Sequence, residues 1–260
     1  MSSPPGSTSP QNLPALVAHR GCARRFPENT LAAVRGALEA GARHIEIDVQ
    51  LTRDRTPVLF HDRSLDRLCG VSGAVHELSD ADVSNLRAAE AGRLGSRFAD
   101  EPVATLEGFC ELLARHPEVE AFVELKRAAI EAFGVDEVLE RVLGRLAPLH
   151  GHVTVISFSI EVLSAMRRVS DLPLGPVIES WSDLDREDVR ALDAECVFAG
   201  DTILPPAEHG SLHLPGKRLC VYEIDDPVRA LQLAARGVDL IETFAIGELL
   251  TAFAQRAPDG

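Results

Sequence analysis

The chain has 260 residues, 45% of them hydrophobic and 25% charged, enough for one sizeable core and within the usual size of a single α/β barrel. Its net charge of −14 argues against a nucleic-acid footprint and against a polybasic membrane patch. An acidic protein that handles a phosphate must concentrate positive charge locally, and a divalent cation does this.

No run approaches the length of an apolar membrane span, so no stable membrane insertion is expected. Residues 1–14 lack both a basic and an apolar signal-peptide region, and residues 1–12 read as a disordered Ser/Pro tail ahead of one domain over 13–260. The five cysteines, Cys22, Cys69, Cys110, Cys196 and Cys220, are odd in number, scattered and free of any CxxC pair. That pattern predicts reduced thiols in a cytoplasmic protein.

In chain order, Leu13–His19 reads as a first strand. Thr30 opens a helix with Leu31, Val34 and Leu38 on one face, and Gly41 ends it. Ala42–Asp48 is a second strand. Its character continues to Thr52, breaks at Arg53-Asp54-Arg55-Thr56 and resumes at Pro57–Phe60, a gap short enough only for a hairpin. A turn centred between Asp54 and Arg55 sets Gln50 opposite Leu59 and Asp48 opposite His61. Residues 63–104 do not fit a strand–helix alternation and read as an inserted cap with short helices, one of them starting near Ser79.

Regular alternation then returns. Helix Thr105–Arg115 precedes strand Ala121–Leu125, and helix Val135–Pro148 precedes strand Val153–Ser157. Helix Ile160–Val169 leads to strand Leu174–Ile178, and helix Leu184–Leu192 to strand Glu195–Ala199. Thr202–Gly216 holds at most a short helix. Strand Arg218–Tyr222, helix Pro227–Arg236, strand Asp239–Glu242 and helix Gly247–Gln255 follow. Without the hairpin the strands number eight, which predicts an α/β (β/α)8 TIM barrel with a small insertion after the second strand and its hairpin. An open doubly wound sheet is the alternative, disfavoured by the lack of a GxGxxG loop.

Barrel sites lie at the C-terminal ends of strands. Those ends here carry His19-Arg20, Glu46 and Asp48, Glu124 and Lys126, Ser157, Glu179, Asp201, Tyr222-Glu223 and Glu242. Glu46 and Asp48 are two apart on a strand and share a face, where Glu124 can join them. Three confined carboxylates repel one another. One divalent cation with oxygen ligands, Mg²⁺ or Ca²⁺, relieves this, as does pairing with Arg20, Lys126 or Arg24-Arg25. His19 and His61 suit proton transfer near neutral pH, and Arg20 suits phosphate through its planar fork. Lys126, two after Glu124, shares its face. Tyr222 is either a stacking surface for a substrate or a core aromatic.

His19-Arg20-Gly21, Pro27-Glu28-Asn29-Thr30, Glu46-x-Asp48, His61-Asp62 and Glu124-x-Lys126, in this order and spacing, resemble the glycerophosphodiester phosphodiesterase family. The resemblance runs across nearly the whole barrel, through Ser157-Phe158 and Gly237-Val238-Asp239. It implies a metal at Glu46, Asp48 and Glu124, a phosphate or glycerol phosphate held by Arg20 and Lys126, and His19 and His61 as the acid–base pair. It further implies attack by the glycerol hydroxyl beside the phosphate, expulsion of the alcohol and opening of the cyclic phosphate by water. His19 then accepts a proton and His61 donates one in the first step, with roles exchanged in the second. The expected activity is metal-dependent hydrolysis of a small phosphodiester to glycerol 3-phosphate and an alcohol. The alternatives are a phospholipase-like lyase that stops at the cyclic phosphate and a non-catalytic phosphate-ligand barrel. Two motifs depart from the family. Tyr222-Glu223-Ile224-Asp225 stands where members often carry Trp-Thr-Val-Asn, and Thr243-Phe244-Ala245-Ile246 where they often carry Thr-Asp-x-Pro.

Overall fold

Short runs rich in Val, Ile and Leu, each bounded by polar or glycine turns, form the strands. A computed structural model describes residues 13–256; the tail expected over residues 1–12 lies outside the described residues. The strands are β1 (Ala15–Ala18), β2 (His44–Leu51), β3 (Pro57–Leu59), β4 (Glu120–Leu125), β5 (Val153–Ser157), β6 (Leu174–Ile178), β7 (Cys196–Gly200), β8 (Arg218–Tyr222) and β9 (Leu240–Thr243). All but β3 run parallel, each paired with the next, and β1 bonds both β9 and β2, which closes an eight-stranded (β/α)8 barrel. Strand β3 lies antiparallel beside β2 as an extra ninth strand.

Alternation along the strands divides the side chains into two populations. One face of each strand packs against the outer helices in a single large core. The other fills the barrel interior with Val17, Phe122, Ile156, Val177, Phe198, Cys220 and Leu240. Stepping two residues further along β4 and β9 from these apolar positions reaches Glu124 and Glu242. Stepping two the other way from Phe122 reaches Glu120, which takes a fork from Arg218 at 2.7 and 2.6 Å near the N-terminal ends of the strands. The barrel therefore has a paired, structural bottom and a carboxylate-rich top.

The hairpin differs from the sequence expectation by one residue. Val49 faces Leu59, Gln50 faces Val58 and Leu51 faces Pro57, so Asp48 sits opposite Phe60 and not His61. The cause is a three-residue turn in place of two. Arg55 takes a left-handed conformation (φ 71°), and Thr52 and Thr56 close the turn. Two helical expectations also change. The segment after β4 holds a helix not foreseen, Arg127–Phe133, which Gly134 (φ 81°) separates from helix Val135–Leu146. The single helix expected over Leu184–Leu192 is a 3-10 turn, Trp181–Asp185, and one helical turn, Glu187–Arg190. There Asp183 bonds the backbone N–H groups of Glu179 and Ser180, which competes with helix formation.

Residues 63–104 contribute no strand to the barrel. Their short helices, including Asp66–Cys69 and the Ser79-capped Asp80–Asn85, rest on a small apolar cluster of their own with Leu65, Leu68, Val75 and Val83. That cluster also takes in Val58 and Phe60 of the hairpin. The segment is thus packed against the chain that carries His61.

The turn after β1 runs hard against neighbouring backbone. Arg20 and Gly21 both have positive φ, 55° and 80°, and a Cβ on Gly21 would lie 2.6 Å from the backbone carbon of Ala33. Gly41 also has positive φ but has no atom within 4 Å of such a Cβ. Gly41→Ala should therefore lose only the stability that conformational strain costs, about 1–2 kcal/mol. Gly21→Ala should lose clearly more, because backbone cannot yield as a side chain does. Urea unfolding of the two variants beside the parent checks the ranking.

Candidate active site

The polar side chains at the top of the barrel are placed by backbone parity and by a few buried hydrogen bonds. Glu46 and Asp48 are 1% exposed and project from the same face of β2. Asn29 anchors Asp48 twice, donating from Nδ2 to Oδ2 at 2.7 Å and accepting from the Asp48 N–H at 3.0 Å. It does so from a left-handed backbone (φ 56°) that asparagine tolerates better than most residues. Gln50, next on the same face, donates from Nε2 to the carbonyls of Phe60, His61 and Asp62. This clasp continues the strand pairing, in which the Phe60 N–H bonds the Asp48 carbonyl, and brings the end of the hairpin to the barrel mouth.

His19, Arg20, His61, Glu124, Lys126 and Tyr222 line one cavity there, with Glu223 and Glu242. Glu46, Asp48 and Glu124 offer oxygens within 4.8 Å of one another. All eight residues singled out in the sequence thus meet at the barrel mouth. Lys126 Nζ lies 2.8 Å from Glu124 and 3.2 Å from Asp48, and Arg20 Nε lies 3.2 Å from Asp48. Arg24 and Arg25 are exposed and take no part in this pairing. Tyr222 is half-buried, packing on the barrel interior while lining the cavity. Of the other strand-end groups, Glu179 pairs with Arg127, Asp201 with Arg229, and Ser157 bonds the Leu125 carbonyl.

Burial sets the electrostatics. It pushes Glu46 well above the usual carboxylate range, with Asp48 and Glu242 adding like charge. It does the same to Glu242 and raises Glu124. Burial would raise Asp48 too, but Lys126 and Arg20 outweigh it and hold Asp48 ionised. Burial and the neighbouring Arg20 keep His19 well below the ordinary imidazole value, so His19 is neutral at pH 7. The hydrogen bond from His61 lowers Asp62, with Arg67 adding to it. An ionised carboxylate only accepts, so His61 Nδ1 carries the proton of their 2.8 Å bond and Nε2 is the free nitrogen.

A family model for the glycerophosphoryl diester phosphodiesterase family matches residues 19–246. The chain belongs to this family. A mouse relative, glycerophosphodiester phosphodiesterase 1, is 35% identical over 61% of this chain and 47% of its own length. The chain spans about half the length of this and the other mammalian relatives it matches. A Bacillus subtilis protein that carries the glycerophosphodiester phosphodiesterase name provisionally is 30% identical over 88% of this chain and 93% of its own. An Oleispira antarctica phosphodiesterase, solved with the product sn-glycerol 3-phosphate, shares the fold with a TM-score of 0.81 at 23% identity, over 93% of this chain and 97% of its own.

The family's metal fits the residues present. Glu46 Oε1 and Asp48 Oδ1 are buried without a hydrogen-bond partner, and Glu46, Asp48 and Glu124 offer only oxygen donors, as Mg²⁺ and Ca²⁺ require, while Glu242 groups with Glu46 and His19. Glu242 is the site residue that sequence reasoning left without a role. Its position two beyond an interior leucine on the last strand was the available signal. Phe244, in the altered last motif, stacks on His19 with ring centres 4.5 Å apart and lies under Arg20. Asp225, in the other altered motif, accepts from Thr243 Oγ1 at 2.7 Å and from the Phe244 N–H at 3.0 Å. The two departures from the family pattern therefore interlock, one holding the other in place against His19.

A raised folded-state pKa means that ionising Glu46 opposes folding. That opposition sets in as pH rises above the unfolded carboxylate range and grows until the raised value is passed. In EDTA, Glu46→Gln should therefore unfold at a higher temperature than the parent at pH 8, by a margin that shrinks toward pH 5. Mg²⁺ or Ca²⁺ should raise the parent's midpoint at pH 8 and that of Glu46→Gln much less. Thermal unfolding with and without EDTA reads both effects.

Proposed function

We propose that this chain is a divalent-metal-dependent phosphodiesterase that hydrolyses glycerophosphodiesters to glycerol 3-phosphate and an alcohol. The carrying observation is that His19 and His61 line one cavity with Glu124, whose carboxylate lies within 4.8 Å of those of Glu46 and Asp48, and that Glu46 keeps a buried oxygen without a partner. Membership of the phosphodiesterase family supports the reaction class.

Glu46, Asp48 and Glu124 hold the cation, which when bound neutralises charge on the phosphoryl oxygens. Arg20 and Lys126 bind the phosphate, and Tyr222 flanks the substrate. His19, kept neutral by burial, accepts the proton of the glycerol hydroxyl that attacks phosphorus. His61 enters this step with both ring nitrogens protonated and donates its Nε2 proton to the departing alcohol oxygen, its Nδ1 proton staying on the bond to Asp62. Water then opens the cyclic phosphate with the two roles exchanged. Phe158 and Val177 border both this cavity and a wider polar depression beside Arg127 and Glu179, which leaves room for a head group outside the phosphate site.

The five free thiols support a cytoplasmic setting. Among the described residues no helix is long and apolar enough to cross a membrane. The small-molecule reading agrees with the net charge of −14, which disfavours nucleic acid.

Incubation with glycerophosphocholine and related diesters should release glycerol 3-phosphate. EDTA should abolish the release, and His19→Ala should lower kcat by about 10²–10⁴-fold. A ³¹P NMR time course follows the products. Accumulation of a cyclic phosphate as the end product would replace hydrolysis with a lyase reaction, and tight binding without turnover across the panel would remove catalysis. Undiminished activity in EDTA would remove the metal.

A further inference from the structure

The cap supplies one side chain that reaches both halves of the candidate site. Arg67, on the cap helix Asp66–Cys69, donates from Nε to Asp62 Oδ2 at 2.7 Å and from Nη2 to Asp62 Oδ1 at 3.0 Å. The same guanidinium donates from Nη2 to Glu28 Oε1 at 2.6 Å and from Nη1 to Glu28 Oε2 at 3.0 Å. Asp62 accepts from His61 Nδ1, and Glu28 accepts from Arg20 Nη1 at 3.0 Å. One planar fork thus joins the partner of a candidate acid–base histidine to the partner of a candidate phosphate-binding arginine.

Arg67 is itself held from behind. Its Nη1 lies 3.3 Å from Glu90 Oε1, and Glu90 is gripped by Arg93 at 2.8 and 2.5 Å. Arg93 in turn donates to the carbonyls of Arg24 and Phe26, in the loop that follows Arg20. The circuit joins three arginines (Arg20, Arg67, Arg93) to three carboxylates (Glu28, Asp62, Glu90), and Arg20 links it onward to Asp48. Glu28 and Glu90 are each 6% exposed, so loss of one arginine leaves buried negative charge uncompensated.

Backbone strain collects at the same place. Five non-glycine residues among those described have positive φ, and two of them, Arg20 (55°) and Glu90 (45°), are members of the circuit. Asn29, adjoining Glu28, is a third at 56°. Such conformations persist only where surrounding bonds over-determine them.

We propose that Arg67 is a positioning residue for the phosphodiesterase reaction: through Asp62 it fixes the tautomer and direction of His61, and through Glu28 it fixes Arg20, so that the cap completes the site. The chemistry it serves rests on the function proposed above, but the placement of His61 does not. Arginine is required for its fork, because a lysine ammonium cannot present two donor pairs in one plane. Arg67 is also half-exposed, so a free guanidinium ion can reach the space it occupies.

The test uses the full chain with Arg67→Ala, Arg67→Lys and, as control, Arg87→Ala, an exposed cap arginine bonded only to nearby carbonyls. Each is first checked for the parent's circular dichroism. ¹⁵N NMR of the ring nitrogens of His61 should show one tautomer, protonated at Nδ1, in the parent and in Arg87→Ala, and a mixture in Arg67→Ala. Kinetics should show kcat on glycerophosphocholine lowered at least about tenfold in Arg67→Ala, with KM raised through Arg20. Arg67→Lys should recover little of this, and millimolar guanidinium should restore part of the rate to Arg67→Ala alone. A single unchanged tautomer in Arg67→Ala overturns the proposal, as does a kcat within twofold of the parent. A parent without turnover sinks the proposed function and leaves the NMR comparison to decide the role of Arg67. If Arg67→Ala fails to fold, the tautomer state and kcat of folded Arg67→Lys decide by the same criteria.

Discussion

Four carboxylates, Glu46, Asp48, Glu124 and Glu242, crowd the mouth of one barrel, and their mutual repulsion is the constraint that the rest of the site answers. Burial deepens it, because each charge is out of reach of water. The chain supplies two cations within reach, Lys126 and Arg20; both face Asp48, and Lys126 is shared with Glu124. Asp48 is thereby the member kept ionised, while Glu46 and Glu242 are driven toward the neutral form. A site tuned in this way is crowded with acid groups whose oxygens already lie within 4.8 Å of one another. The same burial that raises the acids keeps His19 neutral, so one physical cause produces both the perturbed carboxyl groups and an uncharged imidazole beside them.

Much of this was legible in the sequence because parity carries it. Residues two apart on a strand share a face whatever the exact ends of that strand, so Glu46 with Asp48 and Glu124 with Lys126 came together as expected. Barrel closure was legible from the count of strand–helix repeats. The hairpin register was not, because it depends on whether the turn uses two residues or three, and that rests on Arg55 adopting a left-handed backbone. The error had little effect on the site, since Gln50 positions the 60–62 segment through its carbonyls. A glutamine within a strand run gives no hint of such a role. The roles of Glu28, Arg67 and Glu90 were illegible for a similar reason: a charged residue in a loop reads as solvated until the fold shows which charged neighbours it meets.

The altered motifs on the last two barrel strands acquire a physical account. Phe244 supplies an aromatic face for His19 and a surface beneath Arg20, both of which a shorter acidic side chain would lack. Asp225 fastens the segment that carries Phe244. Substitution in the two motifs has therefore kept a common purpose, which is to hold the imidazole at the barrel mouth from its outer side.

The root of the cap has a consequence for how such a chain can vary. The N–H of Leu59 bonds the carbonyl of Ala104 at 2.8 Å, and Val58 bridges Thr105, so the inserted segment leaves the barrel and returns to it at nearly one point. Closing a loop between fixed, adjacent ends costs little more as the loop lengthens. Sequence between those ends is consequently free to grow, shrink or be exchanged without altering strand tilt or closure. The barrel thus behaves as a chassis with a single socket, and whatever is fitted there has still to bring a forked cation onto Asp62 and Glu28.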